Sequence, residues 1–258
     1  MPIKLYDLVS DETDSPPRYF SPACVRARLS LLAKGITDFQ TIDVHYRDLR
    51  SIWTSKLEVE KATAPFIERE DGSLLMDSVE IALWLDKTYP DRQNLFLPEA
   101  SLPVDTESDE YKAAVEDYHA HEKKLREGNP SPGMLVFILY ARRIVQYFDK
   151  ETAEYWVRPE RLGEVETVKA LRATLAKLSP TELPEGSKFV SSPSKPGLKD
   201  FSIYGSYRLL RSVSARFAAK TFEHPEAGEW PAWLMRMDEL YTDGAQGLRV
   251  LKERDPKE

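Results

Sequence analysis

Two short stretches hold most of the side chains that could do chemistry. They are Phe20-Ser21-Pro22-Ala23-Cys24-Val25-Arg26 and Met76-Asp77-Ser78-Val79-Glu80. Each sets a polar side chain just before a run with helical apolar spacing. Ser21 stands where an N-cap oxygen takes up a free amide, and Pro22 suits the first helical position because its missing N–H would be unpaired there anyway. Asp77 and Glu80 have the spacing of a capping pair. A helix start combines unpaired amides with a partial positive charge, so either stretch can hold an anionic group or can simply cap its helix.

Other reactive groups are excluded or left with two readings. Ser21-Pro22-Ala23-Cys24 has the form of a Cys-Pro-x-Cys redox motif whose first cysteine is replaced, and Cys24 is the single cysteine. Dithiol chemistry, an intramolecular disulfide and a multi-cysteine zinc site are therefore ruled out. Cys24 is either a buried core thiol or a lone redox thiol one helical turn from Ser21. No histidine and acid are matched to Ser21 in the sequence, so it is not expected to act as a covalent nucleophile. His119 and His121 are two residues apart and point to different faces of a helix, so no metal site is expected.

The elements that must position these residues follow from periodicity. Ile3 to Leu8 alternates as a half-buried strand does, and residues 9–20, with Pro16-Pro17, form a loop. The helix opened by Ser21 has Val25, Leu29 and Leu32 at helical spacing and stops at Gly35. Residues 38–45 predict a second strand, and 47–60 an irregular or helical stretch. Two apolar runs flank Asp71-Gly72 as a hairpin, and the helix after Asp77 is expected to turn Val79, Leu83 and Trp84 inward.

Residues 1–90 thus predict β-α-β-α-β-β-α. Residues 91–108, with two prolines and several acids, predict a linker. Residues 109–258 predict an all-helical domain, with helical periodicity near 109–127, 134–149, 163–178, 199–220 and 231–241. The proline-rich stretch from Pro180 to Pro196 predicts a long surface loop.

Composition narrows the partners. The chain of 258 residues is 41 % apolar, enough for a packed core, and carries a net charge of −7, which argues against gripping a nucleic-acid backbone. No run of about 18 apolar residues predicts a membrane span, and Met1-Pro2-Ile3-Lys4 does not open a secretory leader. The expected location is the reducing cytoplasm.

The order of motifs resembles the glutathione transferase superfamily. Three pieces carry the resemblance: the Ser-Pro-x-x-x-Arg opening from Ser21 to Arg26, Thr63-Ala64-Pro65-Phe66-Ile67, and Met76-Asp77-Ser78-Val79-Glu80-Ile81-Ala82-Leu83-Trp84-Leu85 followed by Tyr89-Pro90-Asp91. The first piece is most similar to the etherase-like classes, the bacterial β-aryl etherases and their fungal relatives, although Val25 replaces the expected tryptophan. In the second half, Gly197-Leu198-Lys199-Asp200 resembles the family's Ser/Thr-x-x-Asp box with glycine in place of the hydroxyl, and Pro231 to Arg236 resembles its last helix.

The resemblance implies a thioredoxin-like α+β domain followed by an all-α domain, a homodimer, and glutathione as co-substrate without a metal. Ala64 before a cis Pro65 would pair with the extended tripeptide. Ser78 and the adjoining amides would take its γ-glutamyl carboxylate, and Asp77 would face the ammonium. Ser21 would donate to the sulfur and favour the thiolate.

The implied activity is attack of that thiolate on small aromatic electrophiles, with aryl ether cleavage as the specific form. A ligandin-like carrier of aromatics and a regulatory protein keeping only the fold are the alternatives. Phe20, Tyr118 and Phe137, together with Tyr111 and Tyr140, would wall the acceptor pocket or pack in the core.

Overall fold

The structure is a computed structural model that describes residues 2–10, 17–126, 169, 173, 187–213, 215–240 and 246–254. Strand β1 (Lys4–Val9) lies inside a four-stranded sheet. It pairs in parallel with β2 (Gln40–His45) and antiparallel with the hairpin strand β3 (Phe66–Glu68), which pairs in turn with β4 (Leu74–Met76). The sheet order is therefore β2-β1-β3-β4. Helix α1 (Pro22–Ala33) makes the crossover between the two parallel strands.

Between β2 and β3 the chain forms α2 (Tyr46–Asp48), a π-helical turn (Leu49–Trp53) and α3 (Thr54–Lys56). Helix α4 (Ser78–Thr88) closes the unit. This is a thioredoxin-like α+β arrangement, in the order the sequence predicts.

The strand β1 departs from the half-buried alternation expected of it, because both faces of the sheet are covered. Leu5, Tyr6, Leu8 and Val9 are buried, and so is Asp7, whose carboxylate pairs with the fully buried Arg28 of α1 at 2.8 Å. Tyr6 stacks on Phe66 with centroids 4.4 Å apart, and Trp53 of the π-helical turn closes on both rings at 4.8 and 4.7 Å. The face of α4 also differs from expectation. Ile81, Ala82 and Leu85 are its fully buried apolar residues, whereas Val79, Leu83 and Trp84 are half-buried. The helix is rotated by its capped start, which turns Ser78 and Asp86 inward with Ile81 and Leu85.

Residues 94–97, in the stretch expected to act as a linker, pack instead of spanning. Leu95 is fully buried, and its amide donates to both oxygens of Asp86. Asp86 also pairs with Lys34 at 2.6 Å and accepts from the Tyr111 hydroxyl. Burial drives the Asp86 carboxyl up and the Lys34 amine down, each opposed by the other's charge.

Five further helices are described: α5 (Asp109–Arg126), α6 (Leu198–Val213), α7 (Ala215–Thr221), α8 (Trp230–Leu240) and α9 (Gln246–Glu253). The predicted helices near 134–149 and 163–178 lie outside the described residues. Helix α9 was not expected.

Helix α6 runs along α1, and its start explains an unusual residue. A Cβ on Gly197 would lie 2.5 Å from Pro98 Cγ and 2.8 Å from the Leu95 carbonyl oxygen. A serine or threonine cap is thus excluded by the packed 95–98 segment. Asp200 keeps its half of the box by accepting from the Gly197 amide at 3.1 Å. It also accepts from the amides of Val190 and Ser191 and from Trp233 Nε1 of α8, at 2.8 to 2.9 Å.

The described part of the proline-rich stretch is consequently not a free surface loop. Phe189 is buried, and Ser192 and Ser194 bond to Glu99.

A second glycine sets how closely α6 meets α1. A Cβ on Gly205 would stand 2.5 Å from the Pro22 carbonyl oxygen and 3.0 Å from Pro22 Cα, both backbone atoms. Gly205→Ala is therefore expected to push α6 from the start of α1 and to cost about 1–3 kcal/mol of stability. Thermal unfolding of the variant checks this; an unshifted midpoint would contradict the close approach.

Candidate functional site

Three loop-to-element junctions converge beside β1: the start of α1, the approach to β3 and the start of α4. Ser21 caps α1, its Oγ accepting from the Cys24 amide at 3.3 Å, with an extended backbone at φ −71° and ψ 119°. That oxygen accepts while its hydroxyl can also donate, and the Cys24 sulfur is one acceptor within its reach. Cys24 itself is fully buried, and burial together with the nearby Asp7 charge pushes its thiol well up. The protonated core thiol is thus favoured over the redox reading.

At the second junction the Ala64–Pro65 bond is cis. Ala64 is half-buried, and its backbone has no hydrogen-bond partner among the described residues. Pro65 turns its carbonyl to the Asp77 amide at 3.3 Å, which joins this junction to the third.

Asp77 has φ +79°, in the left-handed region that non-glycine residues rarely adopt. The conformation turns its carboxylate back over the helix start, where Oδ1 accepts from the amides of Val79 at 2.7 Å and Glu80 at 3.4 Å. The N-cap at Asp77 matches the sequence expectation. The carboxylate remains exposed to solvent.

Ser78 is nearly sealed, at 2 % exposure, and it meets a partner that the sequence reading had not placed in the site. Arg26 Nε and Nη2 donate to Ser78 Oγ at 3.1 and 2.8 Å. The same guanidinium pairs with Glu122 of α5 at 3.1 Å and donates to the hydroxyls of Tyr118 in α5 and Ser202 in α6. Arg26 thus ties the starts of α1 and α4 to the helical half of the chain. Two arginines, Arg26 and Arg28, on a largely buried helix are the available signal, since a buried guanidinium needs several acceptors.

The aromatic candidates fall elsewhere. Phe20 is in the core at 2 % exposure. Tyr118, at 1 %, has its hydroxyl engaged by Arg26 and Ser202 while its ring borders a cleft of about 310 Å³ with Phe96, Ala114 and Leu198. Tyr111 is likewise buried, on Asp86. Phe137 and Tyr140 lie outside the described residues. Among the described residues no cluster of three potential metal ligands occurs, and no helix is long and apolar enough to cross a membrane.

The geometry agrees with what the chain is similar to. Residues 18–93 match the family described as glutathione S-transferase, N-terminal domain. Over the whole chain, the solved glutathione transferase GSTFuA3 from Phanerochaete chrysosporium superimposes with a TM-score of 0.60 at 20 % identity, covering 100 % of this chain and 99 % of that one. The fold is that of the glutathione transferases.

Two further structures, both described as complexes with glutathione, share it. The glutathione S-transferase CsGST83044 of Ceriporiopsis subvermispora gives a TM-score of 0.56 at 20 % identity and 98 % coverage of each chain. Rice GST1 gives 0.58 at 16 % identity, with 98 % and 96 % covered. A comparison with curated protein sequences finds no match. In this glutathione transferase fold, the matched segment 18–93 contains Ser21, Arg26, Ala64, Pro65, Asp77 and Ser78.

Proposed function

We propose that the protein binds glutathione at the junction of α1, β3 and α4 and activates its thiol for transfer to a small hydrophobic electrophile. The observation that carries this reading is the pairing of Arg26 with Ser78 at the start of α4. Arginine can only donate, so the Ser78 oxygen accepts twice and its own proton is left for a ligand acceptor. With the Ser78 amide, the helix-start N–H that Asp77 does not cap, it would hold the γ-glutamyl carboxylate. The free edge of the Asp77 carboxylate would face the ammonium, since Oδ1 alone carries the cap. The unpaired backbone of Ala64 would extend the sheet edge onto the peptide.

When bound, glutathione supplies the thiol, which loses its proton to solvent and attacks the electrophilic carbon; in an aryl ether the C–S bond forms as the C–O bond breaks and the phenolate leaves. Ser21 would turn its hydroxyl from Cys24 to donate to the glutathione sulfur, and the partial charge at the start of α1 would add to that stabilisation. No side chain of this protein needs to become covalently bonded.

Aromatic electrophiles, including aryl ethers, are the substrate class we propose, on the etherase-like Ser-Pro opening at Ser21. A homodimer is part of the same reading, and light scattering tests it.

The experiment is an absorbance titration of the bound thiolate in the wild type and in Ser21→Ala. The variant is expected to raise the bound thiol's apparent pKa by about one unit, equivalent to about 1.4 kcal/mol. The thiolate is then lost over a pH interval just above the wild-type pKa, where the wild type retains it. Identical titrations would remove Ser21 from its role.

A further inference from the structure

The segment that delivers Ser21 is held largely from distant parts of the chain. Close by, the Ser10 amide donates to the Arg18 carbonyl at 2.8 Å, the Arg18 amide donates to Ser10 Oγ at 2.7 Å, and Tyr19 bridges to Val9. From α6, the Ser212 carbonyl accepts from Arg18 Nη1 at 2.7 Å. The Tyr19 hydroxyl donates to Asp43 Oδ1 in β2 at 2.7 Å.

The remaining support comes from the residue that follows α9. The Arg254 guanidinium lies 4.3 Å from the centre of the Tyr19 ring, and its Nη1 is 3.3 Å from Asp43 Oδ2. The two oxygens of one carboxylate thus tie Tyr19 and Arg254 together. Arg28 approaches the same ring at 4.9 Å, so two cations flank an aromatic residue two positions before Ser21.

Helix α9 is firmly seated where it must be to present Arg254. Leu248 and Leu251 are at most 1 % exposed, Arg208 Nη2 donates to the Leu251 carbonyl at 2.9 Å, and Lys252 pairs with Asp238 of α8 at 3.2 Å. Arg254 itself is partly exposed, at 23 % of its side chain. Its removal therefore opens no cavity in the core, while it releases one side of Tyr19.

We infer that Arg254 is a positioning residue: through Tyr19 and Asp43, helix α9 straps down the segment that places the Ser21 hydroxyl. A hydroxyl that must meet a sulfur at hydrogen-bond distance is sensitive to small displacements of its backbone, and a shift of about 1 Å at a reacting centre can cost a hundredfold. The inference rests on the assignment of Ser21 to the thiol, and its test separates the two.

The first measurement needs no ligand. Hydrogen exchange is compared between wild type and Arg254→Ala for peptides covering 17–24, with β1 and α4 as internal references. Exchange in 17–24 is expected to rise roughly tenfold while α4 is unchanged. Unchanged exchange at 17–24 overturns the strap, whatever glutathione does.

The second measurement titrates the bound thiol. Arg254→Ala is expected to raise its apparent pKa and lower turnover roughly tenfold, with glutathione affinity within about twofold of wild type. Tyr19→Phe keeps the ring and drops the link to Asp43, and should move the pKa in the same direction. Faster exchange with an unmoved thiol pKa in both variants would refute the positioning role. Failure of the wild type to bind glutathione would instead sink the thiol assignment, and the exchange comparison would still decide the strap.

Discussion

Asp200→Ala is expected to cost at least about 4 kcal/mol of folding stability, read as a fall in the urea midpoint without a change in slope. The carboxylate is fully buried and accepts from four donors: the amides of Val190, Ser191 and Gly197 and the indole of Trp233. Each donor left unpaired costs on the order of 1–3 kcal/mol. The loss also unties three elements at once, because these donors belong to the 187–197 segment, the start of α6 and α8. Asp200→Asn is expected to fall between the two, since one oxygen survives as an acceptor while the amide group adds an unwanted donor. A midpoint for Asp200→Ala within experimental error of wild type would show that the segment 187–197 is held by something else.

The second large effect is expected from Arg26→Met, and it should appear in both stability and binding. Methionine keeps much of the volume and removes every charge-assisted bond. Glu122, at 12 % side-chain exposure, then loses this cation, and breaking a largely buried pair in this way costs about 3–5 kcal/mol. The binding effect follows from Ser78, whose oxygen loses both donors that fix its orientation. Glutathione affinity is expected to fall roughly tenfold or more, as for a lost hydrogen bond to a charged group. A double variant with Glu122→Gln should recover part of the stability, because the carboxylate charge that faced Arg26 is gone, and none of the affinity. Calorimetric titration of the folded fraction separates the two. Loss of stability with unchanged affinity would leave Arg26 a purely structural tie.

How far these features could be seen in the sequence depended on whether local rules governed them. The order of elements along residues 1–90 is legible from periodicity and turn signals, and the starts of α1 and α4 are legible because an N-cap serine before proline and a D-x-x-E pair act within one turn. The cis bond before Pro65 came from resemblance, and the structure has it.

The inward face of α4 was misjudged. Its rotation is set by burial of Ser78 on Arg26 and of Asp86 on Lys34, partners that lie far away in sequence. Gly197 looked like a weakened cap; it is the residue that lets Pro98 and the Leu95 carbonyl approach. The segment 94–97 looked like a spacer on composition alone, yet Asp86 and Asn94 bond its amides and bury it. Arg26 is part of a sequence motif, but the partners of its guanidinium come from three other helices, α4, α5 and α6, and no spacing rule reveals such a convergence.

The most direct test of the central claim is a calorimetric titration of glutathione into the wild-type protein and into Ser78→Ala. Saturable binding to the wild type is expected, weakened roughly tenfold or more in the variant through loss of a hydrogen bond to the ligand's carboxylate. No saturable binding to the wild type, or equal affinity for the two proteins, would contradict it.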